Sequence, residues 1–135
     1  MKTELTSKSD VGKFGEKTAE KFLKKNKYKI IGRNVNAGRS EIDIVALKDQ
    51  TLVFVEVKTR SYDPDKEYIS RPADAVNREK ITYLIRGADR FCTDSGSKYS
   101  EYFKRFDIIE IYLTNDGGKY SVADIRHFEN AFGRN

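Results

Sequence analysis

Between Glu41 and Arg60 the chain alternates apolar and polar residues on either side of Asp49 and Gln50, a pattern that constrains this stretch to a tight β-hairpin. Residues 41–47 and 51–60 are its predicted strands. With the turn centred between Asp49 and Gln50, pairing partners sum to 99, which sets Leu47 opposite Leu52, Val45 opposite Phe54, Asp43 opposite Glu56 and Glu41 opposite Lys58. Ile42, Ile44, Ala46, Val53, Val55 and Val57 then share the other face, which is apolar throughout and must be buried. The first face changes along its length from apolar to ionic.

The ionic end has a physical consequence. Two carboxylates directly opposite each other, with side-chain bases roughly 5 Å apart, repel and destabilise the sheet unless a cation lies between or beside them. Lys58 is one such cation, on the same face two residues beyond Glu56. A hard divalent ion is another, since magnesium accepts one or two carboxylates and completes its shell with water and phosphate oxygens. That set suits phosphodiester hydrolysis, in which the metal activates water and a nearby lysine orients it or offsets developing charge. An ion-pair ladder, with Glu41 against Lys58 and Arg60 near Asp43, accounts for the same charges without a ligand, because surface pairs are common and nearly neutral in energy. A bulge that moved the register by one would break the opposition altogether.

The hairpin sits in a chain with room for one domain. Residues 1–9 are polar and expected to be loose, and residues 10–135 are expected to form a single unit. Asp10 can cap a helix over residues 11–26, in which Val11, Gly15, Ala19, Phe22 and Leu23 recur at helical spacing. Glu16 falls on the border of that stripe, and Lys13, Lys17, Lys21 and Lys24 gather opposite it. A strand over residues 28–35 precedes the hairpin, and the polar stretch 61–71 after it is expected to be a mobile loop. Pro72 opens helical structure ending near Thr93, with Ile81, Leu84, Ile85, Ala88, Phe91 and Cys92 on one face. Residues 105–114 and 119–128 are two further strands joined through Asn115, Asp116, Gly117 and Gly118. The order αβββαββ gives an α/β fold, a mixed sheet with helices packed against it.

Composition narrows the partners. The chain carries 26 basic and 21 acidic residues, a formal charge of +5, which suits a polyanion such as nucleic acid without demanding one. Cys92 is the single cysteine, so neither an internal disulfide nor a cysteine-built zinc site is available, in keeping with a reducing cytoplasm. The opening MKTELTSKSD lacks the apolar core of a signal peptide, and no apolar run reaches membrane-spanning length; a cytoplasmic, membrane-free protein is expected.

Several further residues carry chemistry in principle. Asp107, at the start of a strand, is expected to anchor loop backbone, and His127, the only histidine, to pack or lie at the surface. Cys92 belongs to an apolar helical face. Tyr28, Tyr62, Tyr68 and Tyr102 are scattered, with no motif that would make them base-stacking platforms.

Asp43, then after twelve residues Glu56-Val57-Lys58, resembles the D…ExK core of the PD-(D/E)XK nuclease superfamily. More narrowly, the chain is similar to the YraN family of bacterial endonuclease-like proteins, themselves similar to archaeal Holliday-junction resolvases. The strings that carry this are GKFGEKTA at 12–19, SEIDIVA at 40–46, LVFVEVKTR at 52–60 and RFD at 105–107. The resemblance implies a restriction-endonuclease-like fold, magnesium or manganese held by Asp43 and Glu56 with help from Glu16, and a catalytic role for Lys58. It implies DNA as substrate, with branched DNA and a homodimer as its finer forms. Lys80 matches a basic or amide position near the site in related nucleases, and Lys13, Lys17 and Arg60 are the other expected nucleic-acid contacts. A catalytically silent nucleic-acid-binding module on the same fold is the alternative.

Overall fold

In the computed structural model, which describes residues 2–65 and 77–133, Thr3–Glu4 form a short strand, β1, rather than part of a loose tail. β1 pairs antiparallel with the last strand of the chain, through Thr3 opposite Tyr120 and Glu4 opposite Lys119. Helix α1 (Lys8–Lys25) begins a turn earlier than its apolar stripe suggests, because Ser7 and not Asp10 is the cap. Ser7 is extended (φ −142°, ψ 163°) and its Oγ accepts the Asp10 N–H at 3.1 Å, which leaves Asp10 in the first turn, where a negative charge favours the helix dipole. Ala19 and Leu23 are fully buried along the expected stripe.

Strands β2 (Lys29–Ala37), β3 (Ser40–Lys48) and β4 (Thr51–Ser61) follow, then α2 (Arg78–Asp94), β5 (Phe103–Asp116) and β6 (Lys119–Phe132). Asn77 caps α2 by accepting the Lys80 N–H at 2.8 Å. Pro72, Tyr68 and most of the expected mobile loop lie outside the described residues. The strands form one six-stranded sheet in the order β1-β6-β5-β4-β3-β2. Among the described strands only β4 and β5, the two joined through α2, run parallel, and every other pair is antiparallel.

The helices occupy opposite faces. Leu84 and Ala88 of α2 pack with Val45, Leu52, Phe54, Phe106 and Ile108, while Ala19 and Leu23 of α1 pack with Ile44, Ala46, Val53, Val55, Ile109 and Ile111. At roughly 1.5–3 kcal/mol for each fully buried large aliphatic or aromatic side chain, these two clusters supply the main drive to fold.

The hairpin turn is as predicted: Asp49 and Gln50 both take left-handed φ (49° and 63°), the two-residue geometry that matches strand twist. The predicted register holds from Lys48–Thr51 to Ile44–Val55. There the β3–β4 ladder stops, so Asp43 with Glu56 and Glu41 with Lys58 are not ladder pairs. The alternation breaks at the same place. Ile42 joins the cluster on the α2 side and Ile44 the cluster on the α1 side, so the unbroken apolar face read from the sequence is divided at Asp43.

Candidate active site

Where β3 and β4 part, a cleft of about 740 Å³ opens between the N-terminal half of α1 and the C-terminal half of β4. Glycine sets how closely the two elements approach: a Cβ on Gly15 would collide with Thr59 Oγ1. Glu16, Asp43, Glu56, Lys58 and Arg60 all line the cleft. Of the residues singled out from the sequence, Lys80 reaches the cluster from α2, and Lys13 and Lys17 are exposed on α1.

Asp43 is placed by the irregularity. In β2, Arg33 pairs with Ile44 and Val35 with Ile42, but Asn34 and Asp43, which face each other at the intervening step, are not a ladder pair. Asn34 has a left-handed backbone (φ 46°). Freed from the β3–β4 ladder, Asp43 Oδ2 accepts the Val57 N–H at 2.8 Å, so a side chain takes the place of a backbone carbonyl. That bond ties Asp43 to the strand that carries Glu56 and Lys58.

The charges at the cleft are only partly balanced. Glu56 is 4% exposed; its Oε1 accepts from Lys80 Nζ at 2.6 Å and lies 3.5 Å from Lys58 Nζ. Its Oε2 is buried with no hydrogen-bond partner among the described residues. Burial, and then the Glu56 charge, push the Asp43 carboxyl up to about 7, against the lowering effect of the Val57 hydrogen bond. Glu16 is also raised, by burial and then by Glu41 and Glu56. Burial alone would lower the Lys80 ammonium, but its hydrogen bond to Glu56 and the attraction of Glu56 outweigh burial and raise it. Among the described residues, no group of three or more His, Cys, Asp or Glu side chains is disposed to hold a metal ion. The charge that acts most on Asp43 is that of Glu56.

Two features were missed in the sequence. Asn34, turned so that its amide nitrogen meets acceptors, donates to Glu16 Oε1 at 2.8 Å and Glu41 Oε1 at 3.1 Å. An asparagine inside a predicted strand is itself a signal, since asparagine is depleted in strands and tolerates left-handed backbone. The second is Glu110, buried on β5, which binds Arg60 Nε at 3.3 Å and the Tyr112 hydroxyl at 2.9 Å. Arg60 is thus held by Glu110, a partner outside the ion-pair ladder that the hairpin pattern suggests.

A separate polar cluster joins β5 to β6. Asp107 is fully buried and accepts from Arg105 Nε and from an Arg105 terminal nitrogen, both at 2.8 Å, and from the Asn130 N–H at 2.9 Å; His127 Nε2 lies 2.7 Å away. Burial alone would raise the Asp107 carboxyl, but these hydrogen bonds hold it below the usual carboxylate range. Asp107 is therefore an anchor, and His127, packed edge-on against Phe22 and Tyr28, is part of it. Cys92 is half-buried beside the α2-side core, and burial raises its thiol. Tyr28 is buried, Tyr102 packs against the core, and Tyr62 is exposed.

Residues 15–111 match the model of an uncharacterised protein family, UPF0102. A UPF0102 protein from Caldanaerobacter subterraneus subsp. tengcongensis is 36% identical over 126 residues, covering 93% of this chain and 97% of that protein. Another, from Chloroherpeton thalassium, is 43% identical over 126 residues, covering 90% and 92%. Among solved structures, SfsA of Pyrococcus furiosus in complex with Ca2+ aligns with a TM-score of 0.40 at 15% identity, over 84% of this chain and 63% of that one. No helix of the described residues is long and apolar enough to cross a membrane.

Proposed function

The chain belongs to the UPF0102 family, the restriction-endonuclease-like YraN proteins, and from that premise we propose that it is a metal-dependent endonuclease hydrolysing DNA phosphodiester bonds in the α1–β4 cleft. The observation that carries the reading is the pair Asp43 and Glu56. One carboxyl is pushed up to about 7 by burial and by its neighbour, and the other keeps a buried oxygen with no protein partner among the described residues. Both conditions are relieved by a cation.

The donor set fits a hard divalent ion. Magnesium and manganese take oxygen ligands, and magnesium needs only one or two carboxylates when substrate phosphate and water complete its shell. Asp43 and Glu56 would hold it, with Glu16 assisting from α1. Once bound, such an ion makes water a nucleophile near neutral pH and offsets charge on the phosphate.

The chain's own groups do the rest. Lys58, with a quarter of its side chain exposed, presents a positive charge at the cleft, where nonbridging oxygens gain charge in the transition state and where an attacking water is oriented. Lys80 neutralises Glu56 Oε1 and leaves Oε2 for a ligand. The Val57 N–H fixes Asp43. Arg60, steadied by Glu110, and the exposed Lys13 and Lys17 bind flanking phosphates. Branched DNA is the finer form of the substrate, and a twofold-symmetric dimer would set two such clefts on its two strands.

Purified protein is incubated with branched, single-stranded and duplex DNA in magnesium or manganese. Cleavage that falls by about a hundredfold or more in Asp43→Ala and Lys58→Ala supports the reading. If no substrate is cut, or if both variants cut as the parent does, the reading is wrong.

A specific observation also favours a silent, nucleic-acid-binding site: Lys80 and Lys58 already share Glu56 Oε1 and balance its charge without a metal. Manganese calorimetry separates the two. A binding site lost in Glu56→Ala belongs to the nuclease, whereas salt-sensitive DNA binding indifferent to manganese and to Asp43→Ala belongs to the silent module.

A further inference from the structure

The break in β2 at Asn34 has a geometric purpose. In a regular strand, successive side chains point to opposite faces, so Arg33 and Asn34 could not both reach α1. Here they do. Arg33 Nε donates to Glu20 Oε2 at 2.9 Å, and the Asn34 amide, turned so that its nitrogen meets acceptors, donates to Glu16 Oε1 at 2.8 Å, on two glutamates one helical turn apart. The left-handed backbone of Asn34 (φ 46°) cancels the alternation and turns both side chains to the same helix. For a residue with a Cβ this conformation costs roughly 1–2 kcal/mol, least for asparagine and aspartate, and such strain concentrates at functional positions.

We propose that Asn34 is a positioning residue whose side-chain amide ties Glu16 of α1 to Glu41 of β3, and so fixes Glu16 at the rim of the cleft facing Asp43 and Glu56. The amide suits this task because it is neutral. Its two hydrogens satisfy two acceptors at once, so it holds two carboxylates together without bringing a positive charge that would repel a metal ion. Arg33 serves α1 on the outer side of the helix turn, where a charge is harmless, and Asn34 serves it at the cleft. The purpose assigned to Glu16 rests on the nuclease reading; the tie itself does not.

Asn34→Gly keeps the left-handed backbone and removes only the donor, and Asn34→Asp keeps the shape and replaces the donor with an acceptor. Calorimetry with manganese should show affinity lower by about tenfold or more in both variants, with the melting temperature of Asn34→Gly kept or raised, since outer-shell partners typically contribute on that scale. In the metal-free parent, the Asn34 side-chain amide resonances should move on Glu16→Ala and again on Glu41→Ala. Parent-like manganese affinity in Asn34→Gly overturns the proposal, as do amide resonances that ignore both glutamate substitutions. A parent that binds no manganese sinks the nuclease reading instead, and the amide resonances then decide the role of Asn34 alone.

Discussion

Lys80 Nζ sits 2.6 Å from Glu56 Oε1, and the other oxygen of the same carboxylate is buried without a partner among the described residues. The pair is lopsided: Glu56 is almost fully buried, and the Lys80 side chain is 38% exposed. Lys80→Met therefore leaves a buried carboxylate with only the longer Lys58 contact. A fully buried pair broken this way loses about 3–5 kcal/mol; solvent around Lys80 reduces the expected loss to about 2 kcal/mol, measured by urea unfolding. Manganese affinity should rise in the same variant, since a competing cation has gone.

The stability of the metal-free protein should depend on pH through Asp43. Its carboxyl is raised from 3.8 to about 7 in the folded chain. The folded state then holds a proton that the unfolded state has lost, so its stabilising contribution is complete below about pH 4 and is lost as pH rises through about 7. The loss is on the order of a few kcal/mol, seen as a falling melting temperature over that window, and Asp43→Asn should flatten it. Manganese needs the ionised form, so its affinity should climb over the same range and its binding should release a proton.

Gly15→Ala should disturb the cleft from the helix side. The new methyl would collide with Thr59 Oγ1 and lie 3.1 Å from Thr59 Cβ, so the Thr59 side chain must turn and its strand or α1 give way slightly. Overpacking of this kind costs about 1–3 kcal/mol, and combining it with Thr59→Ala should recover part of that loss. Because Glu16 follows Gly15 directly, cleavage should fall more than thermal stability does.

Lys13→Ala and Lys17→Ala test whether the exposed face of α1 meets nucleic acid. Each contact to a phosphate that is removed should weaken binding at all sequences and lower the slope of log affinity against log salt by about 1, as read by fluorescence anisotropy. Slopes equal to the parent's would assign these lysines to solvent.

How far the sequence carried the site depends on which rule governed each residue. The register from Ile44 to Lys48 was legible because a two-residue turn and strict alternation leave one solution. The same rule failed at Ile42, which lies on the other face beside the irregular step where left-handed Asn34 of β2 meets Asp43; alternation within one strand cannot register such a step. Only the family resemblance points to Lys80, as a basic group near the site; its pairing with Glu56, across 24 positions, is one that no local pattern encodes. The Asp107 anchor is legible in kind, and Arg105 lies two residues away on the same strand, but His127 and Asn130 reach it only once β5 and β6 pair. Ser7 displaced Asp10 as the cap because both residue types cap well and the apolar stripe does not say where the first turn starts.

The hydrogen bond from the Val57 N–H to Asp43 Oδ2 makes a backbone amide into a built-in indicator. Every other acceptor open to that amide in a sheet is a carbonyl, whose charge is fixed. This one changes its charge with the state of the cleft. The Val57 resonance should therefore follow protonation of Asp43, capture of a cation and arrival of a phosphate, each as a distinct shift, with no probe attached to the protein. A single peak in a nitrogen–proton spectrum can thus read the occupancy of the site before any activity is sought.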